Sequence, residues 1–349
     1  MSNTTVETTS APAIAPRRGS RSESLTAWAR ELSLAPAIIL AIIVGSFVSP
    51  QFLTANNLIN NVMVASSVLG LLVIAESIIL ISGYFDLSLE SIVGIAPMVA
   101  VWVVVPQATG GLGWELNPYL AILIMFVLSA VIGTITGFLV ARLKLNAFMV
   151  TLAMLILLRG ITVGISGGKS LSGLPPEFLF LGSARPLGVP VQVWILVVVV
   201  VLAAVFMGLH PVGRKLYAMG GSSAAAAAAG IKTTRLTMGI FIFGAVLASF
   251  AGLMQTGRIA SATASQGDGM IFTVFAAAVI GGISLNGGRG SMIGAALGVL
   301  LLGIIQNILI LAQVPAYWIE AIYGLIILIA LVFNHFATRR ARRGRELLA

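Results

Sequence analysis

The chain has 349 residues, 58% of them hydrophobic and only 9% charged. A soluble domain carries roughly a quarter charged residues, so composition excludes one, and apolar runs of about 18 to 25 residues recur, each long enough to cross a bilayer as a helix. Net charge is +9 with no cysteine and two histidines, which excludes disulfides and thiolate sites; His210 and His335 are too separated for a metal site, and the basic residues gather where membrane topology explains them without nucleic acid.

Residues 1–30 are rich in Ser, Thr, Pro and Arg and lack hydrophobic periodicity, which predicts a disordered cytoplasmic tail rather than a cleaved leader. A transmembrane domain is expected over 31–336, followed by a basic cytoplasmic tail over 337–349. Ten spans are expected near 34–49, 58–82, 87–105, 118–140, 147–166, 191–209, 237–257, 270–284, 291–312 and 316–336. The fold class is therefore all-α, a polytopic membrane protein with about ten transmembrane helices and both termini cytoplasmic. Positive charge supports that orientation. Inside segments hold Arg17, Arg18, Arg21 and Arg30, then Arg142 with Lys144, the 210–236 loop, Arg289, and Arg339, Arg340, Arg342, Arg343 and Arg345. Outside segments hold only Lys169, Arg185 and Arg258, and the inside loop near 83–86 is an exception without positive charge.

Small residues at four-residue spacing, Gly133 with Gly137 and Gly290, Gly294 and Gly298 followed by Gly303, are read as close helix packing. The outside loop 167–190 carries Pro175, Pro176, Pro186 and Pro190 between apolar residues. It is expected to pack on the external surface or to offer a docking face. Gly167-Gly168-Lys169-Ser170 lacks the glycine that a phosphate-binding loop needs five positions before Gly168, where Val163 stands, so the chain has no nucleotide site of its own.

The longest polar interruption is His210 to Arg235. Its six alanines, Ala224 to Ala229, favour a short helix. Ser222 or Ser223 can cap its start and Gly230 can end it in the left-handed conformation. Arg214 and Lys215 flank it on one side, Lys232 and Arg235 on the other. This is read as a cytoplasmic helix on which a motor protein pushes.

Ionisable residues within spans are costly unless paired, hydrated or functional. Glu76 lies deep in the second span and Arg159 in the fifth; they either pair with each other or line a polar cavity. Asp86 either caps the third helix or serves gating and the substrate path. Asn57, Asn60, Asn61, Asn146, Thr151, Gln306 and Asn307 suit either helix packing or a polar path. Glu320 is expected at the interface, near the start of the last span. Both histidines are expected at helix ends.

Four motifs then carry a resemblance: Gly83-Tyr84-Phe85-Asp86-Leu87-Ser88; Ala147-Phe148-Met149-Val150-Thr151-Leu152 with Arg159-Gly160; Gly220 to Ile231; and Gly281 to Ser291. In this order, over about 50–335, they resemble the inner-membrane permease subunits of bacterial ribose-type ABC sugar importers. The resemblance implies a pore-forming subunit in the inner membrane, not an enzyme, that works with a second permease subunit, most simply as a homodimer. It implies a cytoplasmic ATP-binding subunit that holds ATP and Mg, an external solute-binding protein, and a small polar solute such as a monosaccharide or polyol. No cofactor is expected in this chain. Arg214, Lys215, Gly220, Gly221, Ser222, Ser223, Ala224, Gly230 and Ile231 would couple to the ATPase. Glu76, Asp86, Ser88, Asn146, Phe148, Thr151, Arg159 and Asn307 would serve gating or the substrate path. One departure is plain: the family's short helix usually has an acidic residue near its start, where this chain has Ala224. The competing class is an ion-coupled secondary transporter that uses Glu76, Asp86 or Glu320.

Overall fold

The computed structural model describes residues 34–319, 321–326 and 328–329. The two predicted tails, Glu320 and His335 lie outside the described residues. Each of the ten predicted spans contains an apolar helix. Six are long and apolar enough to cross a membrane: α2 (Asn57–Ile81), α4 (Pro118–Ala141), α5 (Ala147–Ser166), α7 (Val191–Leu209), α10 (Thr233–Ile259) and α12 (Met292–Leu311). Four are shorter: α1 (Ala35–Val48), α3 (Ser88–Val104), α11 (Met270–Ile280) and α13 (Ala316–Ile326). Three further helices were not all foreseen: α6 (Pro176–Ser183), α8 (Pro211–Gly221) and α9 (Ser223–Ala228). Among the described residues β structure is limited to one isolated bridge, Leu171 to Ala262.

Burial sorts the helices by environment. In α2, 89% of the apolar window is buried against 22% in α7, so α2 is surrounded by protein while α7 lies on the outside of the bundle. All of Val64–Ile81 except Ala65 is buried, as is α3 except Val99 and Trp102. These two helices and α10 form the centre, with α4, α5, α6, α7, α11 and α12 packed around them. Glycine makes the closest approaches. A Cβ on Gly133 would lie 2.6 Å from the Phe241 carbonyl oxygen, and one on Gly298 would overlap that of Ala277. The small-residue rows therefore act in backbone packing, as lipid-embedded helices require. Gly290 does not belong to such a row; it lies in the turn before α12 and packs on Ile283.

Helix α10 serves as a ruler. Thr237 meets Tyr84, Gly244 faces Ile79 and Leu89, Gly252 faces Val93, and Gly257 faces Gly182. At 1.5 Å per residue, α3 begins about 10 Å above the level of Thr237, partway through the bundle. Helix α11 begins at the same level, because the Ile271 N–H reaches the Glu90 carboxylate. The predicted span 270–284 is thus shortened: the helix ends at Ile280, and Gly282, Gly287, Gly288 and Gly290 take positive φ in the following turn. Segment 260–269 runs from the end of α10 into the interior to meet it. The apolar loop 167–190 packs rather than floats; Phe178 is fully buried and α6 lies on α10.

Candidate functional site

The polar interruption holds two helices rather than one. His210 joins α7 to α8: its ring stacks on Phe206, and its Nδ1 accepts from the Val212 N–H at 3.2 Å. Pro211 opens α8, where its missing N–H is no loss. Leu216 and Met219 of α8 are buried, while Arg214 and Lys215 are exposed. Ser222 rather than Ser223 caps α9, its hydroxyl accepting from the Ala225 N–H at 3.2 Å. At the other end Gly230 has φ +81°, its N–H donates to Ala227 O at 2.9 Å, and Ile231 N–H donates to Ala226 O at 3.0 Å. That pair of bonds satisfies carbonyls a helix end otherwise leaves free. Of Ser223 to Ala228 only Ala226 is buried, so α9 stands out from the bundle with Ala224 and its neighbours exposed.

Three of the four motifs meet beneath α8. Gly288 N–H donates to Ile81 O, the end of α2, at 2.8 Å. A Cβ on Gly287 would lie 2.7 Å from Gly220 O and 3.0 Å from the Gly83 Cα, and one on Gly288 would lie 2.8 Å from Gly221 N. The Tyr217 hydroxyl donates to Gly290 O at 2.8 Å, and Thr237 Oγ1 lies 3.3 Å from the Tyr84 hydroxyl. Gly83, Gly220, Gly287 and Gly288 are therefore one backbone-to-backbone junction.

Above the junction lie the carboxylates. Asp86 N–H donates to Glu76 Oε1 at 3.3 Å, and Asp86 Oδ1 accepts from Ser88 N–H at 2.9 Å and from the Ser88 hydroxyl. Asp86 thus caps the first turn of α3. Glu76 is fully buried and its Oε2 has no hydrogen-bond partner. Glu76 and Arg159 do not pair. Arg159 Nη2 instead lies 3.2 Å from Glu90 Oε1 and 3.1 Å from Asp268 Oδ1. Glu90 Oε2 accepts from Ile271 N–H at 3.0 Å, so one carboxylate neutralises the guanidinium and meets the positive end of α11.

Neither Glu90 nor Asp268 was singled out from the sequence, and neither was Gln266. Pro97 has no N–H, so the Val93 carbonyl inside α3 loses its helical partner. Gln266 supplies one: its Nε2 donates to Val93 O at 3.1 Å and to Gly252 O at 2.9 Å, while the Thr256 hydroxyl donates to its Oε1 at 3.2 Å. A proline within a predicted span was the available signal, since lipid forces a freed carbonyl to find a protein partner.

The remaining candidates scatter. Asn146 is exposed and caps α5 through Met149 N–H at 3.3 Å. Phe148 is half exposed, and the buried Thr151 hydroxyl donates to Ala147 O at 2.9 Å. Asn307 forms a reciprocal amide pair with Asn57, at 2.8 and 2.9 Å, tying α12 to the start of α2. A cleft of about 580 Å³ between α7, α8 and α10 and one of about 520 Å³ beside α5 are apolar except for Arg235 and Asn146 respectively, so neither suits a polyhydroxylated solute. Among the described residues no three His, Asp or Glu side chains cluster so as to hold a metal ion.

Residues 58–331 match the family described as branched-chain amino acid transport system / permease component. The chain is 34% identical over 314 residues to the ribose import permease protein RbsC of Escherichia coli K12, covering 88% of this chain and 95% of the relative. It is 31% identical to RbsC of Bacillus subtilis, covering 85% and 90%. It is also 31% identical to the autoinducer 2 import system permease protein LsrC of Escherichia coli, covering 87% and 86%. No solved structure matches. The chain belongs to this permease family: it is a multi-pass membrane transport subunit and not an enzyme.

Proposed function

We propose that the chain is the pore-forming subunit of an ATP-driven, binding-protein-dependent importer of a monosaccharide or related polyol in the bacterial inner membrane. The observation that carries this reading is α9: a short helix capped at both ends, standing clear of the bundle, and attached through α8 to the ends of α2 and the 281–291 turn. A cytoplasmic ATPase holding ATP and Mg presses on it. A second permease subunit, most simply another copy, completes the pore, and an external binding protein delivers the solute. The solute class comes from the relatives named for ribose and autoinducer 2 import. The reading takes ten crossings with both termini cytoplasmic, which the six long and four shorter apolar helices and the charge distribution support. Helix α11, at eleven residues, spans only about 16 Å, and segment 260–269 completes that crossing.

The buried Glu76 beside Asp86 keeps one other reading in play, an ion-coupled carrier. Uptake of radiolabelled ribose into proteoliposomes separates the two. The importer requires ATP, the ATP-binding subunit and the binding protein, and continues when the proton gradient is dissipated. Uptake by the purified chain alone under a pH gradient overturns the proposal.

A further inference from the structure

The two adjacent glycines at the end of α8 have opposite surroundings. A Cβ on Gly220 would overlap the Ile81 carbonyl oxygen and lie 2.6 Å from Gly288 N, whereas one on Gly221 meets nothing within 4 Å. Ile81 is the last residue of α2, and only the six residues 82–87 separate it from Ser88, where α3 begins. The Ile81 carbonyl that Gly220 approaches is also the acceptor for Gly288 N–H. Tyr217 and Met219 extend the same contact to Gly290 and Thr237. A displacement of α9 therefore reaches α2 and the 281–291 turn through backbone atoms in contact, with no flexible side chain between to absorb it, and reaches α10 through the Met219 and Thr237 side chains. The segment it would move next, 83–87, leads directly into the helix that carries Glu90.

We propose that Gly220 is the positioning residue that passes the stroke of the ATPase from α8 and α9 into α2 and α3, and that it is glycine because any side chain would separate those backbones. The inference rests on the permease reading above. The chain has no cysteine, so a single reporter thiol can be placed at the exposed Ser265 in segment 260–269. The Ser265→Cys chain, co-expressed with its ATP-binding subunit, is reacted with a membrane-impermeant maleimide with and without ATP plus vanadate.

The expected result is an ATP-dependent labelling rate in Ser265→Cys. With Gly208→Ala added, that dependence stays within about twofold, because a Cβ on Gly208 of α7 likewise meets nothing within 4 Å. With Gly220→Ala added it is lost, while the complex still assembles and hydrolyses ATP. A purely structural role would lower assembly and hydrolysis together instead. If Gly220→Ala does not assemble, Tyr217→Phe decides: it removes the hydroxyl from Gly290 O without changing volume and should weaken the ATP dependence. An unchanged ATP response in an assembled Gly220→Ala complex, an unchanged response in Tyr217→Phe, or an equal loss in Gly208→Ala overturns the proposal. Absence of any ATP response in Ser265→Cys itself overturns the permease reading, and the inference falls with it.

Discussion

Replacing Gln266 by leucine removes one side-chain amide that bonds to three groups. Val93 O and Gly252 O each lose a donor, and the Thr256 hydroxyl loses its acceptor. Hydrogen bonds between membrane helices average about 0.6 kcal/mol and reach about 1.7, so three of them set a loss of roughly 2 to 5 kcal/mol. The Val93 share has a specific origin, because that carbonyl is free only on account of Pro97. Pro97→Ala restores an N–H in register with Val93 O. The structure therefore predicts that Gln266→Leu costs less in the Pro97→Ala background than in the native chain, by about one such bond, ~0.6–1.7 kcal/mol. The assay is a double-mutant cycle followed by SDS-induced unfolding in mixed micelles. Additive single-mutant effects, or a larger cost in the alanine background, would refute the idea that Gln266 completes the helix broken at Pro97.

The Arg159 cluster should respond unevenly. Glu90 is 6% exposed and Asp268 68%; Glu90→Ala should lower stability by about 1–3 kcal/mol, because it orphans the Ile271 N–H and leaves Arg159 with Asp268 alone, and Asp268→Ala by no more than about 1 kcal/mol. The same unfolding titration reads both, and equal losses contradict the burial argument. In the short helix, Ser222→Ala removes the cap and should cost about 0.5–2 kcal/mol, read as faster amide exchange confined to Ala224–Ala228. Gly230→Pro cannot reach φ +81° and deletes the N–H that bonds Ala227 O; it should still insert, yet fail to stimulate the partner ATPase, and normal stimulation would show that α9 is not the contact.

Much of the architecture was legible because apolar length and helix punctuation are local signals. Asn117 with Pro118, Asn146, Ser222 and Ser291 each cap a helix at or next to a predicted boundary. Gly230 stops α9 where its neighbours leave no other residue able to take positive φ cheaply. Helix α8 was missed because Pro211, Gly213, Gly220 and Gly221 depress helix propensity. What forms it is tertiary: Leu216 and Met219 are buried, and a Cβ on Gly213 would overlap the Phe206 carbonyl at the end of α7. The Arg159 partners were hidden for a related reason. Glu90 lies 69 residues from Arg159, and their meeting depends on α3 starting partway through the bundle, which follows from the path of 83–87 and not from the apolar period of any span. Glu76 was recognisable as costly, but its neighbour is Asp86 from the adjoining segment rather than a distant cation.

The alanine run changes what holds the outer face of α9, not whether the helix forms. Six alanines carry the highest intrinsic helix propensity, and the helix is fixed at both ends by Ser222 and the Gly230–Ile231 bonds, so it needs no side-chain contacts along its length. Ala226 alone is buried against the chain itself, leaving Ala224, Ala225, Ala227 and Ala228 as a methyl surface without charge. Permeases of this type usually place an acidic residue near the start of that helix. Without it, docking of an ATPase on the proposed reading would rest on shape and apolar burial at α9, with charge confined to the flanks at Arg214, Lys215, Lys232 and Arg235. A contact of that kind transmits displacement along its normal but resists sliding poorly, because only the flanking cations fix its register. On that reading the junction at Gly220 would matter more, since the direction of the stroke would be set where α8 meets Ile81 and Gly288 rather than where the ATPase touches α9.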